Sequence, residues 1–212
     1  MESLIPLAKF FTKEENQIHN LGTLLLIGED RSWKVRLAFS KNFAELADAF
    51  GKEITDNNLI QIFSHFLGDS EVEVRNAAIN TMKSCLKNFS TEKITNFLLP
   101  TLQNIYADSQ PGFKSGMAEA FSVMAGIVGK DVTNMKILPI LYDLIKDENA
   151  DVRLSVTSGL IKLAEVLGPD LVTSNLISTM ENMIGDDQWR VRMSVYELIA
   201  DLGKSFGKDV FS

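Results

Sequence analysis

Apolar positions along this chain fall into two kinds of stripe that alternate and repeat. One runs Val35, Phe39, Phe43, Leu46 and Phe50, and its steps of 4, 4, 3 and 4 residues place every member on one side of an α-helix. Shifted by 39 residues it returns as Val74, Ala78, Met82, Cys85 and Phe89, then again from Phe113, from Val152 and from Val191. The other stripe lies upstream. It runs Leu21, Leu24 and Ile27, and in the same phase becomes Ile60, Phe63 and Phe66, continuing to Ile177, Met180 and Met183. Small residues (Ala38, Ala77, Gly116, Ser155, Ser194) flank the first stripe, where neighbouring helices approach closely.

Polar positions keep the same phase. Arg36, Arg75, Lys114, Arg153 and Arg192 stand 39 apart, and six residues before each is an aspartate: Asp30, Asp69, Asp108, Asp147 and Asp186. Fifteen residues after four of the bases comes Gly51, Gly129, Gly168 or Gly207, with Ser90 in the remaining slot. Each unit therefore reads as a first helix, a short turn carrying the aspartate, a second helix, and a turn into the next unit. The glycine suits a left-handed cap at the end of the second helix. The aspartate suits the free amides at that helix's start. The base, six residues on, is placed to reach an aspartate of its own unit or of a neighbour, forming a ladder. Pro100 and Pro139 fall near the start of first helices, where a missing amide is tolerated best.

Helix pairs in tandem at 39 residues lie close to the period of HEAT arrays, and two helices per unit set them apart from the three of armadillo units. The expected fold is an all-α HEAT-repeat solenoid, a single array with units at 16–54, 55–93, 94–132, 133–171 and 172–210. Residues 1–15 read as the second helix of an incomplete unit. Solenoids need polar terminal faces, and this array opens half-way through a unit and closes on Phe206, Val210 and Phe211, so it reads as a segment of a longer one.

Composition narrows the function. The formal charge is −7 with no run of basic residues, which argues against nucleic acid. A single cysteine, Cys85, excludes an intramolecular disulfide framework and multi-cysteine zinc sites, and fits a reducing compartment. No apolar run is long enough to span a membrane, and Met1 to Phe11, interrupted by Pro6 and Lys9, lacks the features of a signal peptide. Cys85 shares a column with Leu46, Met124, Leu163 and Leu202, which makes it core. His65 stands in a mostly polar column, and His19 in a mixed one. There is no phosphate-binding, dinucleotide-binding or zinc-peptidase motif. The expectation is no catalytic residue, cofactor, metal or small-molecule substrate.

Function then belongs to residues that break the repeat. The column three before the base reads Trp33, Val72, Pro111, Ala150 and Trp189, followed by Lys34, Glu73, Gly112, Asp151 and Arg190. Only the first and fifth units pair an aromatic with a base in the turn, the residue types that most often anchor interfaces, on turns where binding residues collect.

These turns resemble those of the scaffold A subunits of protein phosphatase 2A. The likeness is carried by Glu29-Asp30-Arg31-Ser32-Trp33-Lys34-Val35-Arg36, Glu71-Val72-Glu73-Val74-Arg75-Asn76-Ala77-Ala78, Asp147-Glu148-Asn149-Ala150-Asp151-Val152-Arg153-Leu154 and Asp186-Asp187-Gln188-Trp189-Arg190-Val191-Arg192. The order of these variants and the 39-residue spacing extend the resemblance over the whole chain. It departs at Phe113-Lys114, at Pro111-Gly112 and at Ser90. The resemblance implies a structural subunit that bridges the catalytic and the regulatory B-type subunits of a phosphatase. It places Trp33, Lys34 and Arg36 on the regulatory side, and Gln188, Trp189 and Arg190 where contact with the catalytic partner begins. A cytoplasmic chain is expected, with the nucleus as the other compartment. The rival readings are another HEAT adaptor, such as a transport receptor or chromosome-organising subunit, and a HEAT-like DNA glycosylase, which the acidic balance disfavours.

Overall fold

The computed structural model describes residues 4–107, 109–168 and 177–207. They are helical throughout, with no strand among the described residues. Asp108, Val210 and Phe211 lie outside them, as do residues 169–176. The chain divides into two compact units, Met1–Asp108 and Ser109–Ser212.

In the first unit α1 (Leu4–Phe10), α2 (Lys13–His19) and α3 (Leu21–Gly28) precede the long α4 (Trp33–Phe50). Then come α5 (Lys52–Ile54), α6 (Ile60–Leu67), α7 (Val72–Cys85), α8 (Thr91–Lys93) and α9 (Leu99–Ile105). The core is aromatic: Phe43 meets Phe63 at 4.4 Å between ring centroids, Phe39 meets Phe66 at 5.2 Å, and Phe89 closes on Phe63 at 5.9 Å. Edge-to-face and offset ring pairs of this kind add about 0.5–1.5 kcal/mol each beyond area burial.

The second unit contains α10 (Pro111–Val132, two helices joined across a kink at Gly129), α11 (Leu138–Leu144), α12 (Ala150–Leu167), α13 (Ile177–Ile184) and α14 (Trp189–Phe206). Its core fills the same columns with Met117, Met124, Val156, Leu160 and Leu163, all buried. Gly159 of α12 lies so close to α10 that a Cβ there would meet Ser122 at 3.3 Å, which ties α12 tightly to its neighbour.

The ends of the second helices differ from the expected left-handed cap. Gly51, Gly129, Gly168 and Gly207 have φ of 80–82°, but ψ is 169° at Gly51 and 178° at Gly129. This is the extended positive-φ region that essentially only glycine enters. It turns the chain sharply into the next helix in place of closing an αL cap. Where Ser90 replaces glycine, α7 ends early in a 3₁₀ turn, Leu86–Asn88, and Ser90 caps α8 by accepting from the Lys93 amide at 3.3 Å.

A π-helical turn recurs in phase, at Thr55–Leu59, Ile94–Leu98 and Thr133–Ile137. Pro100 and Pro139 follow the last two, but Gln61 stands in the same place after the first. The bulge therefore belongs to the repeat, and proline occupies a spot where the backbone ladder is already loosened.

In the column that heads the bulges, which reads Asn16, Thr55, Ile94 and Thr133, the first two side chains tie a first helix to the preceding second helix. Asn16 Nδ2 donates to Ala8 O at 2.7 Å and Thr55 Oγ1 to Ala47 O at 3.2 Å. Thr133 holds the same column, fully buried, yet its hydroxyl has no partner. Thr133→Val should therefore raise the melting temperature, removing an unmet buried hydroxyl that costs about 1 kcal/mol. Thr55→Val should lower it by a similar amount. A destabilised Thr133→Val chain in thermal denaturation would show that the hydroxyl is in use.

Candidate protein-binding turns

The turns at Asp30, Asp69, Asp147 and Asp186 are each fixed by the aspartate and the base together. Asp30 accepts the Ser32 amide at 2.7 Å, and Asp69, Asp147 and Asp186 accept those of Glu71, Asn149 and Gln188 at 2.9 Å. Each aspartate thus stands two residues before the helix N-cap and closes an Asx turn, where the sequence suggested a cap on the helix's own first turn. Guanidinium Nη1 then clamps the loop backbone. Arg36 donates to the carbonyls of Asp30 and Arg31, Arg75 to those of Asp69 and Ser70, Arg153 to those of Asp147 and Glu148, and Arg192 to those of Asp186 and Asp187.

The opposite edge of the guanidinium reaches the next turn. Arg36 grips Asp69 with Nε at 2.6 Å and Nη2 at 2.8 Å, and Arg153 grips Asp186 at 2.7 and 2.8 Å. Lys114 makes one such bond, to Asp147 at 2.8 Å. Of the two partners left open by spacing, own unit or neighbour, the carboxylate taken is the neighbour's, 33 residues on. The corresponding partner for Arg75, Asp108, lies outside the described residues.

These largely buried pairs shift their groups. Burial raises the Asp69 and Asp147 pKa values, but the bonds from Arg36 and Lys114 and from the turn amides outweigh it, so both end low. At Asp186 the Arg153 pair is the largest influence and again lowers the pKa. Arg36 and Arg153 are raised in return.

The pattern-breaking residues ride on this frame. Trp33 is half-buried with Lys34 Nζ 5.9 Å from its ring centroid. Arg36 spends its guanidinium inside the protein, so Lys34 and the open edge of Trp33 are what this turn offers outward. At the fifth turn Gln188 and Arg190 are exposed, and Trp189 is 66% exposed. Beside it an open cleft of about 930 Å³ runs between the turns of the fourth and fifth units, floored by Tyr142, Ile145 and Met183 and rimmed by Glu148, Asp187 and Gln188. Sequence reasoning missed this cleft, because nothing in one column announces what lies between two turns. It also missed the exposed Met193 and Tyr196. Register held the clue: Tyr196 stands in a column otherwise occupied by Ser40, Ile79, Ala118 and Thr157.

No other feature among the described residues points to chemistry. Burial pushes the Cys85 thiol far up, and its sulfur donates to Met82 O at 3.2 Å. Among the described residues no group of three or more His, Cys, Asp or Glu is placed to hold a metal ion. No helix among the described residues is long and apolar enough to cross a membrane.

Sequence and structure comparisons agree with this architecture. The PPP2R1A-like HEAT repeat model matches residues 52–129 and the HEAT repeat model residues 137–167. The beta isoform of the human 65 kDa A-type regulatory subunit of serine/threonine-protein phosphatase 2A is 36% identical over 95 residues, 43% of this chain and 16% of that protein. The crystal structure of Cex1p superposes with a TM-score of 0.80 at 17% identity, over 98% of this chain and 40% of that one. The designed armadillo repeat protein YIII(Dq)4CqI gives 0.60 at 17% identity, over 94% of this chain and 90% of the other. The chain thus carries HEAT repeats, its fold is an all-α solenoid, and it spans a small part of the length of its curated relative.

The depressed carboxylates set a pH dependence. Groups whose folded pKa lies below the unfolded value, about 3.9 for Asp, stabilise above that value and lose the contribution as pH falls through and below it. Thermal unfolding should therefore shift steeply downward below about pH 4. Arg153→Gln should cost about 2 kcal/mol at pH 7 by stranding the Asp186 carboxylate, and should flatten the acid slope. Equal slopes in wild type and variant would show that the pair does not govern it.

Proposed function

We propose that this chain is a non-catalytic scaffold segment of a protein phosphatase 2A-type assembly, presenting its inter-helix turns to a catalytic and a regulatory B-type subunit. The observation that carries this reading is the 36% identity over 95 residues with the beta isoform of the human 65 kDa regulatory subunit. The match of residues 52–129 to the PPP2R1A-like model supports it. So does the geometry, since an anchor residue serves a scaffold when the element beneath it is rigid. Trp33 and Lys34 project from a turn held by Arg36, and Gln188, Trp189 and Arg190 from one held by Arg153 and Arg192.

The mechanism is geometric. The scaffold contributes no reacting group. It fixes where one partner sits relative to another, and units that contact only their neighbours let small changes per unit accumulate. The cytoplasmic or nuclear placement expected from the sequence belongs to the same reading.

Purified phosphatase 2A catalytic and regulatory subunits, titrated separately onto immobilised chain, test it. Trp189→Ala should weaken binding by about tenfold or more for the catalytic subunit, the effect of losing a central aromatic anchor. Trp33→Ala should do the same for the regulatory subunit. If neither subunit binds chain that is helical by circular dichroism, the phosphatase assignment fails and the fold stands.

A further inference from the structure

The residue that follows each turn aspartate reads Arg31, Ser70, Ser109, Glu148 and Asp187. Only the fourth and fifth turns follow the ladder acid with a second one. Both added acids are exposed, and the turns use only their backbone: Arg153 takes the carbonyl of Glu148 and Arg192 that of Asp187. Their carboxylates enter no ion pair among the described residues, whereas Asp147 and Asp186 are held by Lys114 and Arg153.

The same two acids flank the cleft of about 930 Å³ between these turns. Its floor is apolar, with Ile145 and Met183 only 6% and 4% exposed and Tyr142 half-buried beside them. Side-chain size accounts for the opening. In the first unit Gly28 lets the next first helix close in, so tightly that a Cβ there would meet Ile62 at 2.6 Å. The fourth unit has Ile145 in the Gly28 column, which holds the neighbour off. The fifth has Thr179 in the Ile62 column, without the outer methyl that would fill the gap.

Charge decides what suits this cleft. Of its lining groups, Asp147, Asp186 and Arg153 are spent in the ladder, which leaves Glu148 and Asp187 against Lys146 alone. An acidic ligand is repelled, and a wholly apolar one would bury two carboxylates without partners.

We propose that the cleft binds the side chain of an arginine presented by an extended segment of a partner protein. Its aliphatic stem covers Ile145 and Met183, its guanidinium lies on the Tyr142 ring, and its two edges meet Glu148 and Asp187. Arginine suits the site better than lysine, because a planar fork serves carboxylates on two sides while its face packs on an aromatic ring. The incoming residue would bridge on the outside the two turns that Arg153 bridges within. This inference does not rest on the phosphatase reading and holds whichever protein supplies the arginine.

The probe is a capped decapeptide with Leu-Arg-Leu at its centre and glycine and serine elsewhere, titrated into the full chain carrying methyl-labelled methionine. The Met183 methyl resonance, assigned with Met183→Leu, should shift saturably with an affinity on the order of 1 mM. That of Met135, exposed and remote from the cleft lining, should stay still. Citrulline in place of the arginine, which keeps the shape and removes the charge, should weaken binding about tenfold. Glu148→Ser combined with Asp187→Ser should do the same, since the second and third turns already carry serine there and both backbone clamps remain. The citrulline comparison needs no variant and decides the matter even where the double variant fails to fold. A Met183 resonance that does not move overturns the proposal, as does binding indifferent to citrulline or to the folded double variant. A lysine peptide that binds as tightly as the arginine peptide overturns it too.

Discussion

A guanidinium with two usable edges organises these turns. One edge satisfies two loop carbonyls, one part-buried and one exposed, and the other grips a carboxylate on the following turn. Desolvating such a pair costs several kcal/mol, which is offset only when the geometry is bidentate and the remaining acceptors are met. Here both conditions hold for Arg36 with Asp69 and for Arg153 with Asp186, since each carboxylate also accepts a backbone amide. Lysine at position 114 keeps the charge and one bond but has no fork to spread over two oxygens. Because the same aspartate shapes its own turn and receives the preceding base, the shape of a turn and its distance from the next are set together.

The rest of the frame tolerates substitution where this pairing does not. The first unit packs phenylalanine against phenylalanine, while the second keeps Phe113 and Phe121 and fills other equivalent columns with methionine, leucine and valine. Volume and period are kept, which is what a core requires. Glycine turns at four junctions are replaced at the fifth by a 3₁₀ turn and a serine cap. The π-helical turns accept proline or glutamine equally. Function therefore has room in the turn residues that face outward. Trp33, Lys34, Gln188, Trp189 and Arg190 contribute little to the ladder and are carried by it.

Much of this was legible in one dimension. A strict period of 39 residues superposes five copies of one environment, so each column reports its own burial several times over. That is why Cys85 could be assigned to the core and the tryptophans singled out as departures. The glycine conformation was not legible. Period and residue type call for positive φ, but ψ depends on where the next helix must start, which packing determines. The role of the aspartate was half legible, because both a cap and an Asx turn place a carboxylate before a helix.

The sequence by itself determined the helices, their pairing, their period and the residues that break it, since these rest on local periodicity and on self-comparison. Tertiary structure decided which neighbour each base takes, how far each tryptophan stands out, and that a cleft opens between the fourth and fifth turns. It also decided that Tyr196 lies bare where its counterparts are covered. Those properties depend on distances between residues 33 or more apart in sequence, and such distances exist only once the helices have stacked.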